Sequence, residues 1–180
     1  MKIWLTTDTH FNHDKMTEYC GRPDNFEDII KAELSNVVTR DDILIHLGDI
    51  CIGRDKEKNT WFGTLPCHKI LVRGNHDKKS NRWYLVHGWD FVCEAFSDRL
   101  YDKNILFSHH PKNVDGYDLN IHGHFHNSLP RLLRGEFVVD GEEECNRQDL
   151  HRLTEDKHKL IALENTDYRP VDLEKLLTKL

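Results

Sequence analysis

At 180 residues, 31% of them charged and 38% hydrophobic, the chain has the composition of a globular protein able to enclose a two-sheet core, and nothing in it points to disorder. A formal charge of −6 argues against a long nucleic-acid footprint, because counterion release needs clustered Lys and Arg. No apolar run is long enough for a signal peptide or membrane span, and the five cysteines (Cys20, Cys51, Cys67, Cys93 and Cys145) are odd in number and lack paired spacing, so a cytoplasmic location with reduced thiols is expected.

The chain enters a strand at once, over residues 3–7. Asp24 has Glu27 three residues on, a capping-box spacing, and Phe26, Ile29, Ile30, Leu34 and Val37 then fall at helical intervals, which predicts a helix ending near Thr39. A second apolar run, residues 43–47, predicts a second strand; Trp61, Phe62 and Leu65 suggest a shorter helix closed by Pro66. A strand over residues 69–72 and a helix over 82–86 follow. Beyond residue 90 the pattern turns to strands, at 91–93, 99–101, 104–107 and 119–122, with Asp102-Lys103 as a hairpin turn. Residues 127–158 read as a charged surface excursion, serving as a lid or oligomer contact, with one short strand at Phe137-Val138-Val139. A returning strand at 160–163 and a terminal helix over 171–180, opening near Asp172, complete the chain. The expectation is one domain over residues 1–180, α/β, a four-layer αββα sandwich of two mixed sheets flanked by helices.

Five short clusters of metal-binding side chains punctuate these elements: Asp8-Thr9-His10, Gly48-Asp49, Gly74-Asn75-His76-Asp77, His109-His110-Pro111 and Gly123-His124-Phe125-His126. The first four each follow a predicted strand, at the carboxyl end where ligand crevices of open α/β sheets lie. Each cluster alone has an ordinary reading, since Asp or His after a strand is commonly a turn residue or helix cap, and Gly and Asn both tolerate positive φ. Gly-His-x-His is more specific, because a period of two on extended backbone points both rings the same way. The ordered set with its strand contexts is what points to chemistry. No cluster contains a thiolate, and an Asp, Asn and His donor set suits Mn²⁺, Fe²⁺/Fe³⁺ or Zn²⁺.

In order and composition the five blocks resemble those of the calcineurin-like metallophosphoesterase superfamily, and within it the small single-domain bacterial and phage phosphohydrolases. Further likenesses are residues 7–13, 19–23 and 46–49 and the tail from Asp167 to Glu174. The resemblance implies two divalent metal ions, with Mn²⁺ the first expectation and Fe, Zn, Ni or Co the alternatives. It implies that Asp8, His10 and His126 hold one ion, that Asn75, His109 and His124 hold the other, that Asp49 bridges them, and that His76 faces the substrate. His109, two residues before Pro111, matches the superfamily's usual ligand better than His110. Protein Ser/Thr phosphatases carry a second Asp after Gly-Asp that orients the catalytic His; here the run reads Gly48-Asp49-Ile50-Cys51-Ile52-Gly53-Arg54, so protein dephosphorylation is not expected and Asp77 becomes the candidate to orient His76.

Charge dictates the expected mechanism. A water bridging two cations about 3.5–4 Å apart loses a proton readily and serves as an in-line nucleophile, while the cations offset charge growing on the phosphoryl oxygens. A His such as His76, with an unperturbed pKa near ~6.5, suits protonation of the leaving alkoxide. No Ser or Cys with an activating partner stands in the clusters, so no phosphoenzyme is expected. Arg73, Asn12 and His13 are candidate substrate contacts, and Lys78, Lys79 and Arg82, like Arg131 and Arg134, read equally as solvated charge. His13, His46, His110 and His122 are expected to tune ligands through outer-sphere hydrogen bonds, and His68, His87, His151 and His158 have no assigned role. The expected substrate is a small phosphomonoester or phosphodiester, possible examples being a nucleotide or cyclic nucleotide, with no membrane partner and room for a homodimer. A nuclease is the rival within enzymes; it needs an aromatic or basic groove that only Phe11, Trp83, Tyr84 and Trp89 with those cations can supply. A non-catalytic scaffold is the rival outside them, and it would show degenerate ligands or a lost His76.

Overall fold

The computed structural model describes residues 1–128, 152 and 155–180. Nine strands form two mixed sheets among these residues. In the first, β1 (Ile3–Thr6), β2 (Ile43–His46), β3 (His68–Val72) and β4 (Phe91–Cys93) run parallel, and β9 (Val171–Asp172) closes the edge antiparallel, in the order β4-β3-β2-β1-β9. In the second, β5 (Ala95–Leu100) pairs antiparallel with β6 (Lys103–Ser108), and β7 (Leu119–His122) and β8 (His158–Leu160) continue it in parallel. Parallel neighbours require crossovers, which α2 (Phe26–Val37), α3 (Asp55–Gly63) and α4 (Asn81–Val86) supply. A short α1 (Met16–Cys20), a 3₁₀ turn (Leu163–Asn165) and α5 (Leu173–Leu177) complete the described elements. This is the α/β arrangement of two mixed sheets flanked by helices that the sequence predicts.

Strand periodicity sorts the core into two layers. On β1 and β2, Trp4 and Leu44 face the helices while Ile3, Leu5 and Ile45 face the second sheet; on β3, Leu71 and Val72 divide the same way. The helix layer packs Phe26, Ile30 and Leu34, four residues apart along one face of α2, against Phe11, Phe62, Tyr84 and Trp89. Between the sheets lie Ile105, Phe107, Leu119 and Ile121 with Leu173 and Leu177 of α5. Each such buried side chain contributes roughly 1.5–3 kcal/mol, and together they hold the strand ends in register.

Several expectations change at the boundaries. The capping box does not form: Asn25 precedes α2 without a side-chain cap, and Glu27 instead accepts from Asn12 N, Lys31 Nζ and Lys58 Nζ. The hairpin turn sits one residue early, at Tyr101 and Asp102, whose φ of 51° and 61° match the two left-handed positions of a type I′ turn. The returning strand ends at Leu160 and α5 stops at Leu177, while α1 and β9 had no predicted counterpart. Asp172 does begin α5, its carboxylate accepting from Lys175 N at 3.3 Å. Phe137-Val138-Val139, Arg131, Arg134, Cys145 and most of the charged excursion lie outside the described residues. Among the described residues no helix is long and apolar enough to cross a membrane.

Candidate metal centre

Because β1, β2 and β3 run parallel, as do β6 and β7, their carboxyl ends open on common edges, and the loops beyond them carry all five clusters. Backbone bonds knit the loops together: Asp8 N to Gly48 O at 2.8 Å, His10 N to Asp49 O at 3.0 Å and Gly123 N to His109 O at 3.0 Å. The turns are tight. Asp8, His10, Asp49, His124 and His126 all have φ between 44° and 73°, a region that costs an L residue roughly 1–2 kcal/mol and persists where surrounding structure imposes it. Gly48, at φ 101°, lets two loops approach closely, since a Cβ there would lie 2.4 Å from Gly74 N.

All seven expected ligands come together, in two groups. In the first, the Nε2 atoms of His10 and His126 each lie 3.9 Å from Asp8 Oδ1. In the second, His109 Nε2 lies 2.9 Å from Asn75 Oδ1 and 3.3 Å from His124 Nδ1. Asp49 stands between them, its Oδ2 3.6 Å from His10 Nε2 and 3.3 Å from His109 Nε2. His110, the less favoured neighbour of His109, stacks on the His124 ring at 3.9 Å and offers a nitrogen to the same group.

Hydrogen-bond accounting tests whether these residues fit a cation. His109 Nδ1 lies 2.7 Å from Leu47 O, and a carbonyl only accepts, so Nδ1 carries the hydrogen. When the ring is neutral, Nε2 therefore turns a lone pair toward the acceptor oxygens Asn75 Oδ1 and Asp49 Oδ2. Asp8 Oδ1 and both ring nitrogens of His10 are buried with no hydrogen-bond partner among the described residues. Orphaned lone pairs of this kind cost about 1–3 kcal/mol each, and positive charge at the two groups resolves the deficit.

Electrostatics agree. Burial raises the Asp49 carboxyl, but the imidazoles of His109, His10 and His76 outweigh it and hold the group well below the usual carboxylate range. Burial also dominates at Asp8, where it wins over His126 and His109 and pushes the carboxyl up. Burial lowers His109, yet Asp49 and Asp8 overcome it and lift the ring to about 9. His124, desolvated and facing His109, falls to about 2, and burial drives His10 well below its ordinary value. Without a cation, protons on a few rings must balance the buried carboxylates.

The supporting residues divide into the expected and the missed. His46 accepts from Gly48 N at Nδ1 (3.1 Å), so Nε2–H donates to Thr9 Oγ1 (3.0 Å), whose hydroxyl donates to Ile50 O (2.9 Å). It braces two loops, its hydrogen bonds going to Gly48 N and Thr9, and it feels the charges of Asp49 and His109. His122 donates Nδ1–H to Gly123 O at 3.1 Å and faces His158 across 5.8 Å. Asp77 does not orient His76. Its carboxylate accepts from Asp49 N, Ile50 N and Gly74 N at 2.8, 3.2 and 2.8 Å, clamping the two loops that carry Asp49 and Asn75. His76 sits half-buried on the rim, Nε2 3.9 Å from Asp49 Oδ2 and its ring edge-on to His10 at 5.3 Å.

Among the candidate substrate contacts, Arg73 pairs with Glu94 at 2.7 Å and lines an open cleft of about 420 Å³ that Asn75, Lys78, His109, His110 and Lys112 also border. Asn12 spends its amide on Ile52 O at 2.8 Å, and His13 lies 5.4 Å from the His10 ring. Sequence reasoning assigned no role to Arg22 or Glu164, yet both are buried against His126, with Glu164 Oε1 3.2 Å from its Nδ1.

Comparison with known proteins agrees with this geometry. A solved protein of unknown function from Aquifex aeolicus superposes with a TM-score of 0.71 over 99% of both chains at 24% identity, so the fold is shared. An uncharacterized protein of Methanocaldococcus jannaschii is 31% identical over 189 residues, covering 99% of this chain and 90% of that one. The Gene 66 protein of Mycobacterium phage D29 is 36% identical over 83 residues, 42% of this chain and 40% of that one. The family model for calcineurin-like phosphoesterases matches residues 1–163, a span that contains all five clusters. The chain belongs to the calcineurin-like phosphoesterase family, whose chemistry rests on divalent metal ions.

Proposed function

We propose that the protein is a dinuclear metal-dependent hydrolase of small phosphomonoesters or phosphodiesters. The observation that carries this reading is the position of Asp49, one carboxylate oxygen reaching toward both groups of lone pairs. Asp8, His10 and His126 would hold one ion, Asn75, His109 and His124 the other, and Asp49 both. The all N/O donor set favours Mn²⁺. Bound there, the ions supply an activated water and offset phosphoryl charge.

The chain's own residues supply the rest. Asp8, His10, Asp49, His109 and His126 are buried while Asn75 and His124 are partly exposed, so the second group would meet the cleft and a phosphoryl group would arrive from that side. Lys78 and Lys112 bring positive charge to that approach, beside the Arg73–Glu94 pair. His76, beside Asp49 and His10, would donate a proton to the leaving oxygen, and Asn12 and His13 would be further substrate contacts. Cys51 and Cys93 are not nucleophiles: burial pushes Cys51 up to about 12 and Cys93 to about 11, far from a thiolate. A nuclease finds little support, because Phe11, Tyr84 and Trp89 are core residues and Trp83 alone of the four is partly exposed.

The test is a screen of Mn²⁺-reconstituted protein against p-nitrophenyl phosphate, bis-p-nitrophenyl phosphate, 2′,3′- and 3′,5′-cyclic nucleotides and single-stranded DNA. Asp49→Asn should abolish turnover. His76→Ala should keep its metal, lose about 10²–10⁴-fold on alkyl esters, and lose far less on p-nitrophenyl esters, whose leaving group needs no proton. Equal loss on both ester types would remove His76 as the acid, and DNA as the best substrate would favour the nuclease.

A further inference from the structure

Arg22 is 3% exposed and is the most fully employed cation at the site. Gly21 ends α1 in the left-handed region (φ 68°), which turns the chain inward and lays the guanidinium over Phe26 at 5.1 Å. Nη1 donates to Thr9 O at 3.0 Å and Nη2 to Asp8 O at 2.8 Å, gripping the carbonyls of the first expected ligand and of the residue that follows it. Nε and Nη2 also converge on Glu164 Oε1, at 2.8 and 2.7 Å. Glu164 is distant in sequence, in the 3₁₀ turn that follows β8.

The same Oε1 lies 3.2 Å from His126 Nδ1. An ionised carboxylate only accepts, and Glu164 faces the Arg22 guanidinium as one, Oε1 lying 2.8 Å from Nε and 2.7 Å from Nη2. His126 Nδ1 must then carry hydrogen. Arg22 Nη2, itself a donor, lies 3.4 Å from the same nitrogen, the longer of the two contacts, and already donates to Asp8 O at 2.8 Å. The lone pair left on Nε2 faces Asp8 Oδ1.

We infer that Arg22 and Glu164 are a positioning pair: the carboxylate fixes the tautomer and angle of the His126 ring, and the guanidinium fixes both that carboxylate and the backbone of Asp8. This rests on the assignment of His126 as a metal ligand. Carboxylates placed behind a ligating imidazole raise its basicity, and losing one commonly costs 10–100-fold in metal affinity. Cys20, His126 and Glu164 also lie close enough to hold a cation of their own. Arg22 at 2.7 Å already neutralises Glu164, so a second positive charge there is repelled, and the trio is not a separate site.

Two measurements test the pair. Calorimetric titration with Mn²⁺ should give two equivalents for wild type. For Glu164→Gln, and for Arg22→Met/Glu164→Leu, which removes both buried charges together and so spares the fold, the group of Asp8, His10 and His126 should weaken about 10–100-fold. The group of Asn75, His109 and His124 should stay within threefold. Two unchanged affinities in a folded variant overturn the inference and make the pair a structural tie only. The second measurement needs no variant: long-range ¹H–¹⁵N NMR of Zn²⁺-loaded wild type should show His126 protonated at Nδ1, and protonation at Nε2 overturns the inference. Fewer than two equivalents in wild type would instead count against the dinuclear reading.

Discussion

Gly74→Ala is the sharpest steric test of the centre. A Cβ on Gly74 would lie 2.1 Å from Asp49 Oδ1, 2.7 Å from Asp49 N and 2.8 Å from Asp49 Cγ, where ordinary contact begins near 3.4 Å. More than 1 Å must be found, and nothing nearby yields easily. Asp49 Oδ1 accepts from His76 N at 2.9 Å, and Asp77 holds Asp49 N and Gly74 N at 2.8 Å each. The carboxylate or the loop therefore moves by about 1 Å, a displacement that costs on the order of 10²-fold in turnover. Overpacking of this kind costs about 1–3 kcal/mol, which for a chain of this size lowers Tm by roughly 2–12 °C. Gly116→Ala is the control. Its Cβ meets nothing within 4 Å, so only the φ of +85° is penalised, by about 1 kcal/mol, and activity stays within twofold. The assay pairs thermal unfolding with hydrolysis of bis-p-nitrophenyl phosphate. Gly74→Ala turning over like wild type would mean that Asp49 is not held where the bonds place it.

Metal and pH give two further tests. Saturating Mn²⁺ at about 100 times Kd should stabilise by ~2.7 kcal/mol per site, raising Tm by roughly 5–11 °C for each, and a chelator should reverse it; a Tm indifferent to Mn²⁺ would contradict the orphaned lone pairs. At Asp42, burial raises the carboxyl, but hydrogen bonds from Lys2 N, the Thr39 hydroxyl and N–H, and Trp4 Nε1 prevail and lower it from 3.8 to about 2. With the folded value depressed, its contribution of about 2 kcal/mol is present above pH 4 and lost as pH falls toward 2. Asp42→Asn should therefore be less stable by that amount at pH 7, with the two unfolding curves converging near pH 2; a constant gap would refute the assignment.

What was legible in the sequence was whatever a strand end fixes locally. Asp8, Asp49, Asn75 and His109 each follow an apolar run within a few residues, so parallel strands carry the first three to one sheet edge and the end of β6 in the second sheet carries the fourth, and the pattern of residues suffices to see each strand end. The Asp172 cap was legible for the same reason, its partner Lys175 being three residues away. Glu27 shows the converse: its spacing fits a capping box, but Lys58, brought in by α3, outbids the local backbone for the carboxylate. Arg22 and Glu164 are separated by 142 positions and leave no periodic trace. Asp77 misled because it adjoins His76, whereas its bonds go to three backbone N–H groups. The aromatic residues considered for a nucleic-acid groove were undecidable from spacing, since Phe11 and Trp89 fill the helix layer without helical or strand periodicity of their own.

The central claim is that Asp49 joins two cation sites. Anomalous diffraction from a crystal grown in Mn²⁺ addresses it directly. The account predicts two peaks about 3.5–4 Å apart, with Asp49 contacting both, Asp8, His10 and His126 on one and Asn75, His109 and His124 on the other. A single peak, or two that do not share Asp49, would contradict it.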